Sequence, residues 1–430
     1  MRDRLIGIAA SLSLATSVPA QAPRDTLRLA DLQRVALARD PRQQQFAYQR
    51  AASELRRRDI AAERLPGLSG EGMAQYQSDV TTIPIRLPNV NVPAPPHDTY
   101  DAHVLAQERL YDPSSAPRVD VERATLAESE ARLHTMLYGV RSEVNEAFFT
   151  AALAQARASE ITAAIGDLEA QLAIAQSRLR AGTALPSEPA TITAELLRRR
   201  QDQADLTANR HAALAVLSSL TGQVFTAADT IVLPDLAATM SRSRDSMPRA
   251  RPEYAQFAST RERLAAQARV VDAQSRPKLS AFGRVGYGKP GLNFLNNRFD
   301  SYWLAGVQVQ WAPWTWGTTD RDREALALQQ QIVTSDEAAF TEATRRNLDR
   351  QLTDVDRLEA SLRTDDTIIA LRQGIERETR RRFDEAVVTA AEYVDRRNDL
   401  LGARLTRAAH EVELAEARVR YLTTLGLELR

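Results

Sequence analysis

The clearest pattern in the chain is an alternation of apolar and polar positions between Lys278 and Gly317. Leu279, Ala281, Gly283, Val285 and Tyr287 fall on one face, with Ser280, Arg284 and Gly286 opposite. After a turn-rich stretch, Gly288 to Asp300, the alternation resumes with Trp303, Ala305, Val307, Val309 and Trp311 against Leu304, Gly306, Gln308 and Gln310. A period of two places alternate side chains on one side of an extended strand, so the segment reads as a hairpin of two strands of about ten residues each. All four tryptophans, Trp303, Trp311, Trp314 and Trp316, lie in this segment. The pattern suits a membrane-spanning barrel, where lipid faces one side, water the other, and aromatic rings sit at the interfaces. On this stretch alone, a soluble sandwich hairpin with an aromatic core fits equally well.

The hairpin is one copy of a repeated unit. Asp40-Pro41 opens a segment matching the one that begins at Arg251-Pro252, at a constant shift of 211: Pro41 pairs with Pro252, Phe46 with Phe257, Pro66 with Pro277, Gly72 with Gly283 and Tyr76 with Tyr287. Further on, a shift of 204 pairs Arg141 with Arg345, Arg178 with Arg382, Glu188 with Glu392 and Gly222 with Gly426. So long a period means two copies of a whole subdomain, not a solenoid of small units. The expected organisation is a first repeat over 23–222, with strands at about 67–78 and 99–110 and a helical hairpin at about 117–222. An irregular connector over 223–250 follows, with at most one short helix. The second repeat covers 251–426, with strands at about 278–287 and 301–312 and a hairpin at about 318–426, and leaves a tail at 427–430. In the first copy, Leu68, Gly70, Gly72, Ala74 and Tyr76 share a face. The loop carrying Pro84, Pro88, Pro93, Pro95 and Pro96 is longer than its counterpart. The strand from about Thr99 to Leu110 matches its counterpart at a shift of 203, a slip that a one-residue bulge near the strand end explains.

Long helical segments follow each hairpin. Val119, Leu126, Leu133 and Val140 recur every seven residues, as do Val394, Leu401, Ala408, Ala415 and Leu422. A seven-residue apolar repeat keeps one seam facing a partner helix, as in a coiled coil. A run of about 65 residues at ~1.5 Å rise is ~100 Å long, so such a helix lies against other long helices or stands in water as a rod. The helices turn back at Arg180 to Glu188 and at Asp384 to Thr389.

Composition narrows the function. The 430 residues, 43% of them hydrophobic, give material for two or three domains. The 56 basic and 56 acidic residues cancel, which argues against a nucleic-acid partner. The absence of cysteine excludes disulfides, thiolate metal sites and cysteine nucleophiles. His97, His103, His134, His211 and His410 are scattered, without HExxH spacing, and no glycine-rich phosphate loop occurs. No catalytic residue, cofactor or metal is therefore expected, and energy for any transport must come from a partner. No apolar run reaches the ~18 residues of a membrane-spanning helix. Met1 to Ala22 reads as a signal peptide: Arg2 and Arg4, a short apolar middle, and Ala20-Gln21-Ala22 as a cleavage site.

Four amphipathic strands cannot close a barrel by themselves, and an open sheet edge in lipid costs several kcal/mol per unpaired group. Single-chain outer-membrane barrels start at eight strands. Strands of separate copies must therefore join, and three copies supply twelve.

The order of signal, helix, strand pair and helical hairpin, repeated once, resembles the TolC family of outer-membrane efflux proteins. So do Asp40-Pro41, the Leu65-Pro66-Gly67-Leu68 and Arg276-Pro277-Lys278-Leu279 junctions, and the Arg178-Leu179-x-x-Gly182 and Arg382-Phe383-x-x-Ala386 turns. The resemblance covers essentially the whole chain after the signal. It implies a mostly α, mixed α and β fold: a homotrimeric twelve-stranded barrel in the outer membrane of a Gram-negative-type bacterium, continued by an α-helical periplasmic tunnel. It implies a passive exit duct of a tripartite efflux pump or type I secretion system. The duct would be joined to a periplasmic adaptor (membrane fusion) protein and an inner-membrane RND, ABC or similar transporter.

The resemblance also assigns candidate residues. The two turns would meet the adaptor through Leu179, Gly182, Ala184, Phe383 and Val388; alternatively Gly182 is a helix terminator and Phe383 a packing residue. Ala386 stands where the second turn usually has glycine, which puts the shape of that turn in question. Glu392 and Asp395, three apart on one helical face, would form a gating ring of six carboxylates in a trimer; a solvated outer face is the alternative. Tyr76, Tyr287 and the four tryptophans would mark the membrane interfaces. The rival reading is a soluble periplasmic coiled-coil adaptor or scaffold. Substrate choice would lie with the pump.

Overall fold

The computed structural model describes residues 26–81, 94–244, 250–293 and 297–429. The signal segment, Pro84, Pro88, Pro93 and Pro248 lie outside the described residues. The first repeat holds β1 (Thr26–Arg28), α1 (Leu29–Arg39), α2 (Gln43–Ala62), β2 (Gly67–Tyr76), β3 (Asp98–Tyr111), α3 (Ser115–Arg180) and α4 (Ser187–Thr221). After β4 (Thr230–Val232) and α5 (Ala237–Ser243) come α6 (Pro252–Gln274), β5 (Lys278–Lys289), β6 (Asp300–Gln310), α7 (Thr318–Asp384) and α8 (Ala390–Leu425). The chain is thus mostly helical. The helices stop where the sequence supplies a stop: Gly222 (φ 64°) follows α4 and Gly426 (φ 87°) follows α8, each in the left-handed conformation that glycine adopts without strain.

The strands form one antiparallel sheet in the order β2-β3-β5-β6. The two hairpins join through β3 and β5, with Val104 opposite Val285 and Ala106 opposite Gly283. The register of that pair shifts between Arg109 and Tyr111; the extra residue is on β3, in the first repeat, whereas the rise of the shift from 203 to 204 needs one in the second, so this bulge does not account for the slip between the repeats.

Contacts divide the chain into two compact units, each drawing on both repeats. One takes the residues up to Ala36, Val144–Leu236 and Leu358–Glu416; the other takes Leu37–Glu143, Ala237–Arg357 and Ala417 onward. In the first unit, β1 pairs in parallel with β4, Leu27 opposite Ile231, and both side chains are buried. The Gln155 side chain completes this small sheet like a third strand, donating to the Ile231 carbonyl (3.1 Å) and accepting from the Ile231 amide (3.0 Å).

In the second unit, the short helices dock on the long ones in the same way in both repeats. Phe46 of α2 lies 4.8 Å from His134 of α3, and its counterpart Phe257 of α6 lies 5.8 Å from Phe340 of α7. Arg50 pairs with Glu130 at 2.6 Å, and its counterpart Arg261 pairs with Glu337. Leu133, Val140, Leu401, Ala415 and Leu422 of the seven-residue rows are buried. Among the described residues, no helix is long and apolar enough to cross a membrane.

Candidate functional site

Two regions carry the residues that the sequence singles out: the paired helical turns of the first unit and the sheet of the second.

The turns are two copies of one motif. After α3, the amides of Gly182 and Thr183 donate to the carbonyls of Leu179 (3.0 Å) and Arg178 (2.9 Å). After α7, the amides of Ala386 and Val387 donate to Phe383 (3.1 Å) and Arg382 (2.8 Å). These bonds satisfy helix-terminal carbonyls only if the residue between adopts a left-handed conformation. Gly182 has φ 73° and Ala386 has φ 60°. The second turn therefore keeps the shape of the first, and Ala386 carries a strain of roughly 1–2 kcal/mol for its Cβ. The return helices also begin alike. The Thr389 hydroxyl accepts from the Glu392 amide at 3.2 Å, and Glu188, the counterpart of Glu392, accepts from the Leu185 amide at 3.3 Å. The first bond is one half of a capping box, whereas the cap residue of α4 is Pro186 and Glu188 reaches the residue before it.

Packing joins the two turns. The rings of Phe383 and Tyr393 stack at 5.2 Å with 4° between their planes, inside a cluster that includes Ile165, Leu168, Ile192 and Leu196. Arg178 reaches from the first turn to the second, donating to the Asp384 carbonyl (3.3 Å) and carboxylate (3.4 Å), with its guanidinium over the Phe383 ring. Arg397 donates to Asp167 (2.7 Å), the Ala164 carbonyl (3.3 Å) and the Tyr393 hydroxyl (3.4 Å). Burial raises the pKa of that hydroxyl despite nearby Arg397, so it stays neutral.

The candidate residues fall into three settings. Gly182 is exposed, and Leu179, Ala184 and Val388 are half-buried at the surface of the turns. Phe383 is only 4% exposed, so it shapes the turn surface from beneath. Glu392 and Asp395 are exposed on the first turns of α8. Sequence reasoning missed Arg178, Arg397 and Tyr393 as the clamp between turns. The Thr389-x-x-Glu392 spacing was a readable capping signal.

The sheet has two unlike faces. Across one row, Gly70, Val104, Val285 and Trp303 lie opposite one another, and the three large side chains are exposed. At one end, Phe299 stacks on Tyr287 at 5.6 Å and approaches Tyr100 at 5.9 Å, with Tyr76 exposed on β2. At the other end are Trp311, whose indole donates to the Ser275 carbonyl at 3.2 Å, and Trp314 and Trp316, edge to face at 5.7 Å. Tyr287 pairs with Ser301, ten residues before Trp311. At ~3.3 Å per residue and a tilt of about 40° that interval spans about 25 Å, the height of the apolar band of a membrane barrel. The other face carries Glu71, Asp101, His103, Arg284 and Tyr302. Among the described residues, the outer strands β2 and β6 each have a partner on one side only.

No protein-family model matches the sequence, and no curated protein matches it significantly. Solved structures do match it along nearly its whole length. CusC, studied for folding and transmembrane channel formation, is 16% identical with a TM-score of 0.68, over 96% of each chain. The outer membrane protein VceC of Vibrio cholerae is 14% identical with a TM-score of 0.66, over 94% of this chain and 97% of its own. The open state of the Neisseria gonorrhoeae MtrE outer membrane channel is 16% identical with a TM-score of 0.65, over 94% and 90%. These structures belong to the TolC family of outer-membrane efflux channels. Its fold is the fold of this chain, in which a unit of two sheet strands and a pair of long helices occurs twice.

Proposed function

We propose that the chain is one third of a homotrimeric outer-membrane exit duct. Three four-stranded sheets close a twelve-stranded barrel, the aromatic-banded face meets lipid, and the long helices continue the barrel as a coiled tunnel in the periplasm. The observation that carries this reading is a sheet apolar over about the height of a bilayer whose two outer strands are each unpaired on one side. Lipid cannot satisfy those edges, whereas β6 of one copy can pair with β2 of the next. The likeness to outer-membrane channels supports the same reading.

In this reading the duct is passive. The double turn, with Leu179, Gly182, Ala184 and Val388 at its surface and Phe383 beneath, is where a periplasmic adaptor docks, linking the duct to an inner-membrane transporter of a tripartite efflux pump or type I secretion system. Glu392 and Asp395 of three chains ring the tunnel near its end and favour cations over anions.

The test is native mass spectrometry of protein extracted from membranes, together with planar-bilayer recording. A detergent-requiring trimer with unitary conductance is the expected result. A monomer or dimer released by gentle lysis without detergent would replace this reading with that of a soluble periplasmic adaptor or scaffold.

A further inference from the structure

The polar face of the sheet holds a cluster with no part in the reading above. The β2–β3 register sets Glu71 directly opposite His103, and Asp101, two residues earlier on β3, shares that face. Asp101 Oδ2 lies 2.5 Å from His103 Nδ1, and the Tyr302 hydroxyl donates to Asp101 Oδ1. Tyr302 reaches Asp101 only because Gly286 lies between them: a Cβ there would sit 2.6 Å from the Tyr302 ring and 2.7 Å from the His103 Cβ. Asp101 thus holds the imidazole through Nδ1, and a neutral imidazole that donates there presents a lone pair at Nε2. The His103 side chain is 8% exposed, and its Nε2 has no hydrogen-bond partner. The group it faces is the Glu71 carboxylate, at 3.5 Å.

In that tautomer Nε2 and the Glu71 carboxylate are two facing acceptors, which repel unless something positive lies between them. A proton shared by imidazolium and carboxylate would draw the atoms to about 2.7–2.9 Å. Two metal–ligand bonds of ~2.0–2.2 Å at a tetrahedral angle hold their donor atoms about 3.4 Å apart, close to the spacing observed. We propose that His103 Nε2 and Glu71 form a binding site for a divalent cation of the zinc class, with Asp101 and Tyr302 as positioning residues that orient the imidazole.

An imidazole with a carboxylate suits Zn2+ and its transition-metal neighbours and does not suit Mg2+ or Ca2+, which take oxygen ligands. Arg284, on the same face and close to both Asp101 and Tyr302, offsets one carboxylate and leaves the cluster with an excess of negative charge. The Glu71 side chain is mostly exposed, so the ion has an approach and water to complete its shell. Among the described residues no group of three or more His, Cys, Asp or Glu is placed to hold a metal, so this is a two-donor site and weaker than a closed structural zinc site. The site is built within one chain and does not depend on trimer formation.

The test is calorimetric titration of Zn2+ into the full-length, untagged protein in detergent after chelator treatment. One ion per chain is expected, with a Co2+ derivative showing the visible d–d absorption of a tetrahedral centre. Glu71→Gln and His103→Gln abolish this binding, Asp101→Asn weakens it ten- to a hundredfold, and excess Mg2+ or Ca2+ does not compete. Equal Zn2+ binding by the wild type and the folded Glu71→Gln variant, or none by the wild type, overturns the proposal. If His103→Gln does not fold, the exposed Glu71 position decides alone. Because the titration reads metal alone, its failure leaves the exit-duct reading standing, and loss of that reading leaves the titration unchanged.

Discussion

Ala386 and Gly182 occupy the same left-handed position in equivalent turns, and only one of them does so without strain. Replacing Gly182 with Ala is expected to cost about 1 kcal/mol of local stability. Ala386→Gly is expected to gain less than about 1 kcal/mol, since relief of strain is partly offset by added freedom of the unfolded chain. Hydrogen exchange of the turn amides measures both. Glu63 gives a residue-level pH prediction. Hydrogen bonds from Arg118, outweighing burial, and then Arg109 hold its carboxyl below the ordinary range. A depressed folded pKa means stabilisation that is complete above the unfolded value of about 4.3 and is lost as pH falls through the lower folded value. Glu63→Gln should therefore cost up to about 1 kcal/mol near neutral pH, since solvent screens the partly exposed arginines, and the difference from wild type should vanish in acid. Thermal unfolding in detergent across pH tests this. These residues also mark what spacing could and could not reveal. The place of the turn at Ala386 was legible because its repeat partner is Gly182, but its shape was not, because alanine stands where glycine takes the left-handed conformation without strain. His103 looked isolated among five scattered histidines because the sheet register, not sequence distance, brings Glu71 to it.

At the scale of elements, local rules governed what could be read. The alternation from Leu279 to Trp311 marks β5 and β6, whereas the bulge at Arg109 and Tyr111 adds its residue to the first repeat and is not the one the slip between repeats pointed to. The parallel pair β1–β4 left no such trace: three residues are too few to show a period, and the pair is completed by Gln155, far away in α3. The stacked Phe383 and Tyr393 hold the ends of α7 and α8 together. Phe383→Ala should cost about 3–5 kcal/mol if the cavity stays open. It should raise hydrogen exchange in both turns, because Arg178 loses the ring beneath it. On the sheet, Val285→Lys sits midway along the apolar face, where a charge in lipid costs about 2–4 kcal/mol. It should reduce recovery of membrane-inserted trimer, whereas the same change on a water-facing surface would leave yield unchanged.

For the whole molecule, the duplication was plain from Pro41 and Pro252 onward, whereas the division into two compact units was not, because each unit takes three separate stretches of chain. Assembly is the level at which the proposed ring of Glu392 and Asp395 is tested. Substituting both with alanine should alter unitary conductance and the block by divalent cations in planar bilayers, and unchanged block would remove them from the proposed ring. The interleaving of the units also sets a schedule for synthesis. The first unit needs Leu358–Glu416 and the second needs Ala417 onward, so neither can be finished until its part of α8 has been made. In the exit-duct reading, a nascent molecule would therefore travel to the membrane with its aromatic strands uncovered, in a state prone to aggregation. Its yield should consequently be set by holding chaperones along the route more than by the stability it finally attains.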